Sequence, residues 1–333
     1  MRTSVVAVSA ALTLSAIGLV PASASPVGGA CAWHATEVAA PKGHEARFLT
    51  VTGADGRGDY SGYHAPTSAD IGFIRWHNGI PEVQKAPPGA EDPLPRDENG
   101  SGTVALTALR PGGERAPYLQ RRDGTYQALP VPPGLADAEV VAVNDRGDAV
   151  GNAVRTTDNR RVVVLWPHIG IGPGPVVLDP PELPYPVAID LDEDGSLLLG
   201  GGYDAYLWRT GTLTKLPEPR FPTIARGLAG GLAVGMDLNQ PTVRAWLWDT
   251  VGGKVGYLDR SGIAESVNRH GLVAGATGGW QGTPAVWRQG VFEAQLPLPK
   301  GATSAQVRLA GADGAVYGET SNPKTAAVRW NCV

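Results

Sequence analysis

A pattern of glycine, apolar residues and tryptophan recurs about every 40 residues, and it limits the possible folds more than any other feature of the sequence. Each unit begins with a glycine in a polar turn, followed by a short apolar run. The turn glycines are Gly58, Gly100, Gly147, Gly195, Gly231, Gly271 and Gly314, spaced 36 to 48 residues apart. Self-similarity at such a period indicates a repeat architecture.

A second anchor follows each turn glycine at the end of another apolar run. The seven anchor positions hold Trp76, Gln120, Trp166, Trp208, Trp248, Trp287 and Trp330, so one unit carries Gln in place of Trp. A further glycine turn and a run that closes in proline follow most anchors. We therefore predict four short strands per unit, named a to d in chain order, and no long helix. This is the pattern of a β-propeller blade, so the fold class is all-β, a seven-bladed β-propeller.

Several turn glycines are preceded at three positions by a residue with a short carboxylate or amide side chain. These residues are Asp55, Asp97, Asn144, Asp192 and Asn268. Such side chains hydrogen-bond to nearby backbone in tight turns, so we predict a structural role for them. The acidic run at 190–194 has oxygens that could bind Ca²⁺. A plain turn is the favoured interpretation of that run.

The seventh unit ends after its strand c, and the N-terminal segment 31–43 supplies a candidate for the missing strand d. Alignment on the Pro-Lys-Gly triplets at 41–43 and 299–301 places Cys31 at the tip of the missing c–d turn. Alignment on the anchor Trp places Cys332 at the same tip. We predict that the first strand completes the last blade and that a disulfide between Cys31 and Cys332 locks the ring.

Residues 1–24 have the features of a secretory signal peptide. Arg2 precedes an apolar run at 5–20, and small residues lead to a cleavage site after Ala24. We therefore predict a single propeller domain at 25–333 that is secreted and not inserted in a membrane. Outside the cell its two cysteines can oxidise. Loss of Arg2 changes the net charge only from −4 to −5, which argues against nucleic acid as a partner. We expect a monomer with no cofactor.

Two units, "VNDRGDAVG…VVLW" and "VNRHGLVAG…AVWR", resemble the HAF family of extracellular repeats, whose units have the form "INxxGxVVG" followed by "AFLW". The unit "DLDEDGSLLLG…AYLWRTG" is also similar to this pattern. The resemblance implies secretion, here from a bacterium, and a propeller-like fold. It implies no chemistry, so it provides no catalytic residues.

The loops between strands b and c are polar and differ in length from unit to unit, as is typical of binding loops on a constant scaffold. We predict that the face they form binds an extracellular glycan or protein. The predicted ligand-binding residues are Trp280, Tyr203, Arg160, Arg161, Asn239 and His64. A loop Trp can stack on a sugar or anchor a partner, and an arginine can hold a carboxylate. Packing of Trp280 and solvation of the arginines are the alternative interpretations.

A hydrolase or lyase with its site at the mouth of the central channel is the alternative function. Residues just before the a–b turns that could line the channel are Asp190, Arg226, Glu265 and Arg308. Convergence of such groups from different blades would favour the enzyme, and a mouth lined by aromatic and amide groups would favour a binding protein. A third possibility is a structural surface protein with a large apolar patch. The six histidines fall in different units without metal-binding spacing, so we predict no metal site.

Overall fold

Short antiparallel strands make up nearly all the regular structure of the protein. We describe a computed structural model of residues 31–333, without residues 68–69, 170–171, 173, 218–222, 239–242, 280–281 and 322–324. Residues Trp33–Val333 form one compact unit. Its strands are grouped in seven four-stranded sheets, which are the blades of a propeller and confirm the predicted fold class.

Blades 1 to 6 are simple up-and-down sheets whose strand order follows the chain, and blade 7 differs only in its outermost strand. The a strands are β2 (Leu49–Ala54), β6 (Glu91–Glu98), β10 (Leu135–Val143), β14 (Pro186–Leu191), β18 (Thr223–Ala229), β22 (Ser261–Val267) and β26 (Ala305–Ala310). The b strands are β3 (Tyr60–Thr67), β7 (Val104–Leu109), β11 (Ala149–Arg155), β15 (Leu197–Gly201), β19 (Leu232–Asp237), β23 (Leu272–Thr277) and β27 (Val316–Thr320). Blades are numbered 1 to 7 in this order.

The anchor residues lie on the c strands, and the exposed d strands form the outer edge. The c strands are β4 (Asp70–His77), β8 (Arg115–Gln120), β12 (Arg161–Trp166), β16 (Asp204–Arg209), β20 (Ala245–Asp249), β24 (Thr283–Arg288) and β28 (Ala326–Cys332). The d strands of blades 1 to 6 are β5 (Ile80–Val83), β9 (Tyr126–Ala128), β13 (Val176–Leu178), β17 (Thr212–Lys215), β21 (Lys254–Tyr257) and β25 (Val291–Gln295). A single 3₁₀ turn, Ala46–Phe48, precedes β2.

Blade 7 is composite, as predicted. Its strand d is β1 (Trp33–Glu37), which pairs antiparallel with β28 so that Trp33 lies opposite Cys332 and Ala35 opposite Trp330. Cys31 and Cys332 form a disulfide. The first and last strands therefore share one sheet, and the disulfide takes the place of the c–d turn found in the other six blades.

The repeated Trp fastens each blade to the one before it. Five of the six anchor indoles donate a hydrogen bond to a backbone carbonyl just beyond strand d of the preceding blade. These pairs are Trp76 with Ala39, Trp166 with Pro130, Trp248 with Pro217, Trp287 with Asp259 and Trp330 with Pro297, all at 2.7 to 2.9 Å. The ring fills apolar space and its N–H is satisfied, which explains why Trp recurs here.

Gln120 keeps the same connection in blade 2 by polar means. Its side chain is buried and donates hydrogen bonds of 3.1 Å to Gln84, just beyond strand d of blade 1, and to the hydroxyl of Tyr126. The smaller Gln leaves room for Arg75, whose guanidinium forms a buried ion pair of 2.9 Å with Glu98. The exception among the tryptophans is Trp208, which is half-buried and makes no indole hydrogen bond within the described residues.

Within the part of the chain that the structure describes, no helix has the length and apolar character that a membrane-spanning segment requires.

Candidate functional site

Every a strand carries a β-bulge at the same level of its blade. The register shifts relative to the b strand, with one extra residue on the a strand. The extra residues are Thr52, Arg96, Val141, Ile189, Arg226, Glu265 and Arg308. Bulges redirect a side chain, so these residues form a ring of equivalent positions, one in each blade.

Charged members of this ring meet across blade boundaries. The carboxylate of Glu265 lies 3.6 Å from Arg226 of the preceding blade. Burial raises the pKa of Glu265, while the charges of Arg226 and Arg308 act in the opposite direction. Arg308 in turn lies 3.5 Å from Glu319, which accepts a hydrogen bond of 2.9 Å from Thr50. Three of the four residues named from sequence for the channel therefore converge, although each carboxylate is partnered by an arginine.

A small cavity of about 140 Å³ lies where the a–b turns meet, and two half-buried aspartates, Asp97 and Asp190, line it. Asp190 accepts hydrogen bonds from the amides of Leu191 at 2.8 Å and of Leu228, in the next blade, at 2.7 Å. Asp97 accepts hydrogen bonds from the amides of Glu98 at 2.8 Å and of Val143, in the next blade, at 2.9 Å. Each carboxylate thus joins its own a strand to the a strand of the following blade.

Burial raises the pKa of both aspartates against the opposing effect of the amide hydrogen bonds. The pKa of Asp97 is raised to about 6, and that of Asp190, which also feels the charge of Asp97, to about 8. All four oxygens accept from backbone amides. A general acid or base would have to release such hydrogen bonds to act on a substrate. The geometry therefore indicates a structural role for the two aspartates.

The short polar side chains at the a–b turns are structural, with one change from the prediction. Asn144 and Asn268 each accept two amides of their own turn, and each donates to the turn of the next blade, at Asp192 and Gly311. In blade 2 this role belongs to Asn99, which accepts from Ser101 and Thr103. The assignment of Asp97 to the turn was wrong: the turn glycine of blade 2 is Gly102, whose amide donates to the carbonyl of Asn99, so Asn99 and not Asp97 lies three positions before it.

At the opposite end of the channel, the b–c loop of blade 3 is fixed by one carboxylate. Asp179, in the connection from blade 3 to blade 4, accepts from Arg155 and, at 2.7 Å, from Arg160. Partial burial alone would raise the pKa of Asp179, but hydrogen bonds from these two arginines outweigh it and hold the pKa below its usual value. Arg160 also donates to the carbonyl of Leu183 at 3.0 Å. Arg160 and Asp179 therefore form a frame that holds the b–c loop of blade 3 in place.

Two exposed tyrosines lie at the same end of blade 4. Tyr185 and Tyr203 are 71% and 62% exposed. Tyr185 precedes Pro186, which pairs with Gly201, and Tyr203 follows that glycine by two residues, so both rings belong to one end of blade 4. A depression of about 670 Å³ is lined by Asp158, Asn159, Arg160, Arg161, Pro184 and Tyr185. Arg161 is exposed there and has no ion pair within the described residues.

The other predicted ligand-binding residues have different outcomes. His64 is only 8% exposed, and its ring packs against those of His44 and Phe48. The placement of His64 on an open binding surface was wrong, because the segment before β2 covers it. Trp280 and Asn239 lie outside the described residues. Sequence reasoning missed Tyr185, although its place in the proline-rich connection at 179–186 was a usable signal.

Comparisons with known proteins identify relatives by fold. No protein-family model and no curated protein matches the sequence. Among solved structures, a streptogramin B lyase is 13% identical, with a TM-score of 0.61 over 90% of this chain and 98% of that chain. Virginiamycin B lyase from Staphylococcus aureus is 10% identical, with a TM-score of 0.58 over 91% and 99%. Prolyl oligopeptidase B from Galerina marginata is 13% identical, with a TM-score of 0.58 over 85% of this chain but only 48% of that chain. At these identities the comparisons establish that the chain is similar in fold to β-propeller proteins.

Proposed function

We propose that the protein is a secreted, non-enzymatic β-propeller that binds an extracellular glycan at the b–c loop face of blades 3 and 4. The observation that carries this proposal is that two exposed rings, Tyr185 and Tyr203, lie at this end of blade 4, where Tyr185 lines a depression next to the loop that Asp179 holds. Rigid aromatic side chains with a polar tip suit sugar rings, which have apolar faces and hydroxyl edges. Arg161 and Asn159 provide hydrogen-bond donors at the edge of the same depression.

The preformed frame supports binding without a conformational change. A loop that is already fixed before the ligand arrives loses little entropy on binding. Arg155 and Arg160 both form ion pairs with Asp179. This carboxylate therefore joins the b–c loop of blade 3 to the connection between blades 3 and 4. We also infer membership of the HAF repeat family, on the motifs described above.

Calorimetry against a panel of cell-wall and capsular oligosaccharides tests the proposal. Tyr185→Ala and Tyr203→Ala should each weaken binding at least about tenfold, a loss of about 1.4 kcal/mol. The matched control is Val251→Ala, because Val251 is 75% exposed in the c–d turn of blade 5, at the other end of the molecule. Absence of binding by the unaltered protein, or equal binding by the tyrosine variants, would contradict the proposal.

The alternative is a hydrolase or lyase with its site in the channel, and the convergence of Arg226, Glu265 and Arg308 favours it. A buried carboxylate between two cations could act on a sugar or ester that enters the channel. A turnover assay on the same oligosaccharides with Glu265→Gln separates the two functions. Turnover that Glu265→Gln removes would support the enzyme, whereas unchanged glycan binding by this variant without any turnover supports the binding protein.

A further inference from the structure

Two histidines that are 20 positions apart in the sequence meet where the N-terminal segment crosses blade 1. The ring centres of His44 and His64 are 4.6 Å apart, and the ring planes are nearly perpendicular, at 85°. His44 lies in the segment between β1 and β2, and His64 lies on β3, opposite Leu49 of β2. The expectation that the histidines stay in separate units was therefore wrong for this pair.

Each ring has a buried nitrogen without a hydrogen-bond partner. These atoms are Nδ1 of His44 and Nε2 of His64, and neither finds a donor or acceptor within the described residues. His64 as a whole is 8% exposed. An unsatisfied buried polar group is costly, so two such nitrogens in contacting side chains point to a ligand that both can bind.

We propose that His44 Nδ1 and His64 Nε2 bind one divalent transition metal ion of the class of Zn²⁺. Imidazole nitrogen is a preferred ligand of such ions, at about 2.0–2.1 Å, and two imidazoles on one tetrahedral ion have ring centres roughly 5 Å apart. The observed 4.6 Å between the ring centres is close to this value.

The surroundings favour a cation over an anion at this position. Glu45 and Asp70 lie near enough to act on His64 through their charges. Burial and the neighbouring His44 lower the pKa of His64. Arg47 is the nearby cation, and its guanidinium is paired with Glu45 at 2.9 Å and stacked on Phe48.

The site would have two protein ligands, with water completing the coordination of the ion. Within the described residues, the one group of three candidate ligands that lie close together is Cys31, Glu293 and Cys332, whose two sulfurs form the disulfide. A site with two imidazoles and water is expected to have micromolar affinity. Its effect would be to tie the segment that follows β1 to the first complete blade, next to the seam that closes the ring.

Isothermal titration of the whole purified protein with ZnCl₂ after EDTA treatment tests this site. The expected result is one saturable ion per chain, with affinity reduced at least tenfold in His44→Ala. His34→Ala is the matched control, since His34 is exposed on β1 and should leave binding unchanged. His64→Ala should also abolish binding, and circular dichroism will show whether that buried substitution leaves the fold intact.

A second readout is the thermal midpoint with and without 100 µM ZnCl₂. An ion that binds only the folded state raises this midpoint, and the rise should vanish in His44→Ala but persist in His34→Ala. No saturable binding, or full binding retained by His44→Ala, would overturn the proposal. Water would then be the hydrogen-bond partner of the two nitrogens.

Discussion

Gly275 on strand b of blade 6 lies so close to strand a that a Cβ atom would overlap with the carbonyl oxygen of Ile263. The same overlap recurs in four other blades, at Gly62, Gly151, Gly235 and Gly318. In each of the five blades this glycine pairs with the a-strand residue just before the bulge. The second glycine of the repeat is therefore required by the close approach of two strands.

Gly275→Ala should lower the free energy of unfolding by about 1–3 kcal/mol, because the added methyl group must push two paired strands apart. Urea unfolding followed by tryptophan fluorescence measures the loss. Gly256→Ala is the matched control: Gly256 is exposed on β21 and has no atom within 4 Å of the position of a Cβ. Equal stability of the two variants would show that the strands accommodate the methyl group.

Trp287→Phe should lower the free energy of unfolding by about 0.5–1.5 kcal/mol, because it removes the hydrogen bond from the indole to the Asp259 carbonyl. The control is Trp208→Phe, whose indole makes no such bond within the described residues and is half-buried. Thermal unfolding monitored by far-UV circular dichroism compares the two. A Trp208→Phe variant that loses as much stability would mean that ring volume matters and the hydrogen bond does not.

Removal of the disulfide should destabilise the protein strongly. Cys31 and Cys332 enclose about 300 residues, and a cross-link of this span contributes on the order of 5 kcal/mol in the chain-entropy model. The double variant Cys31→Ser/Cys332→Ser should therefore unfold at a lower urea concentration than the oxidised protein. Reduction by dithiothreitol should shift the unaltered protein to the same midpoint, and an unshifted midpoint would argue that strand pairing alone holds the seam.

Stability should fall as the pH rises from about 5 to about 8. The pKa of Asp190 is 3.8 in its ordinary environment and about 8 in the folded protein, so the folded state holds more protons than the unfolded state between these values. The free energy of unfolding therefore decreases with rising pH across that interval, and Asp97, with a pKa of about 6, adds to the decrease up to about pH 6. Urea midpoints measured at pH 5.5, 7 and 8.5 check the direction.

Asp190→Asn should flatten this pH dependence and lower stability at all pH values. An amide cannot ionise, and its NH₂ group cannot accept the hydrogen bond that the second oxygen of Asp190 receives from Leu228. The comparison variant is Asp123→Asn, because Asp123 is exposed in the c–d turn of blade 2. A slope that stays unchanged in Asp190→Asn would assign the pH dependence to other groups.

The architecture could be predicted because its signals are local and repeated. Turn glycines, anchor tryptophans and closing prolines each reflect contacts that recur in most blades, as the indole bonds to Pro130, Pro217 and Pro297 illustrate. The closing strand was predictable as well, since a missing strand d in blade 7 left one place for segment 31–43. The pairing of Trp33 with Cys332 confirms that interpretation.

The candidate site was less predictable, because it depends on which distant residues the ring brings together. Blade 2 has glycines at both 100 and 102, and the sequence alone does not show that Gly102 is the one at the turn, so Asp97 was given the position that Asn99 holds. His64 looked like a loop residue until the segment at 44–48 was seen to cover it. Arg160 was correctly placed on the b–c face, but its bond to Asp179 depends on a blade connection whose course the repeat does not specify.

The pairing of His34 with Asn331 sets the order in which the protein can be completed during synthesis. Strand β1 leaves the ribosome before the other strands of the propeller, yet its partner β28 is the last of them. Until then the open edges of the incomplete ring remain available to other polypeptides, which is a hazard for a protein rich in β-structure. A chaperone that shields unpaired strands is therefore expected to raise the yield of folded protein more than it would for a chain whose blades each close on themselves.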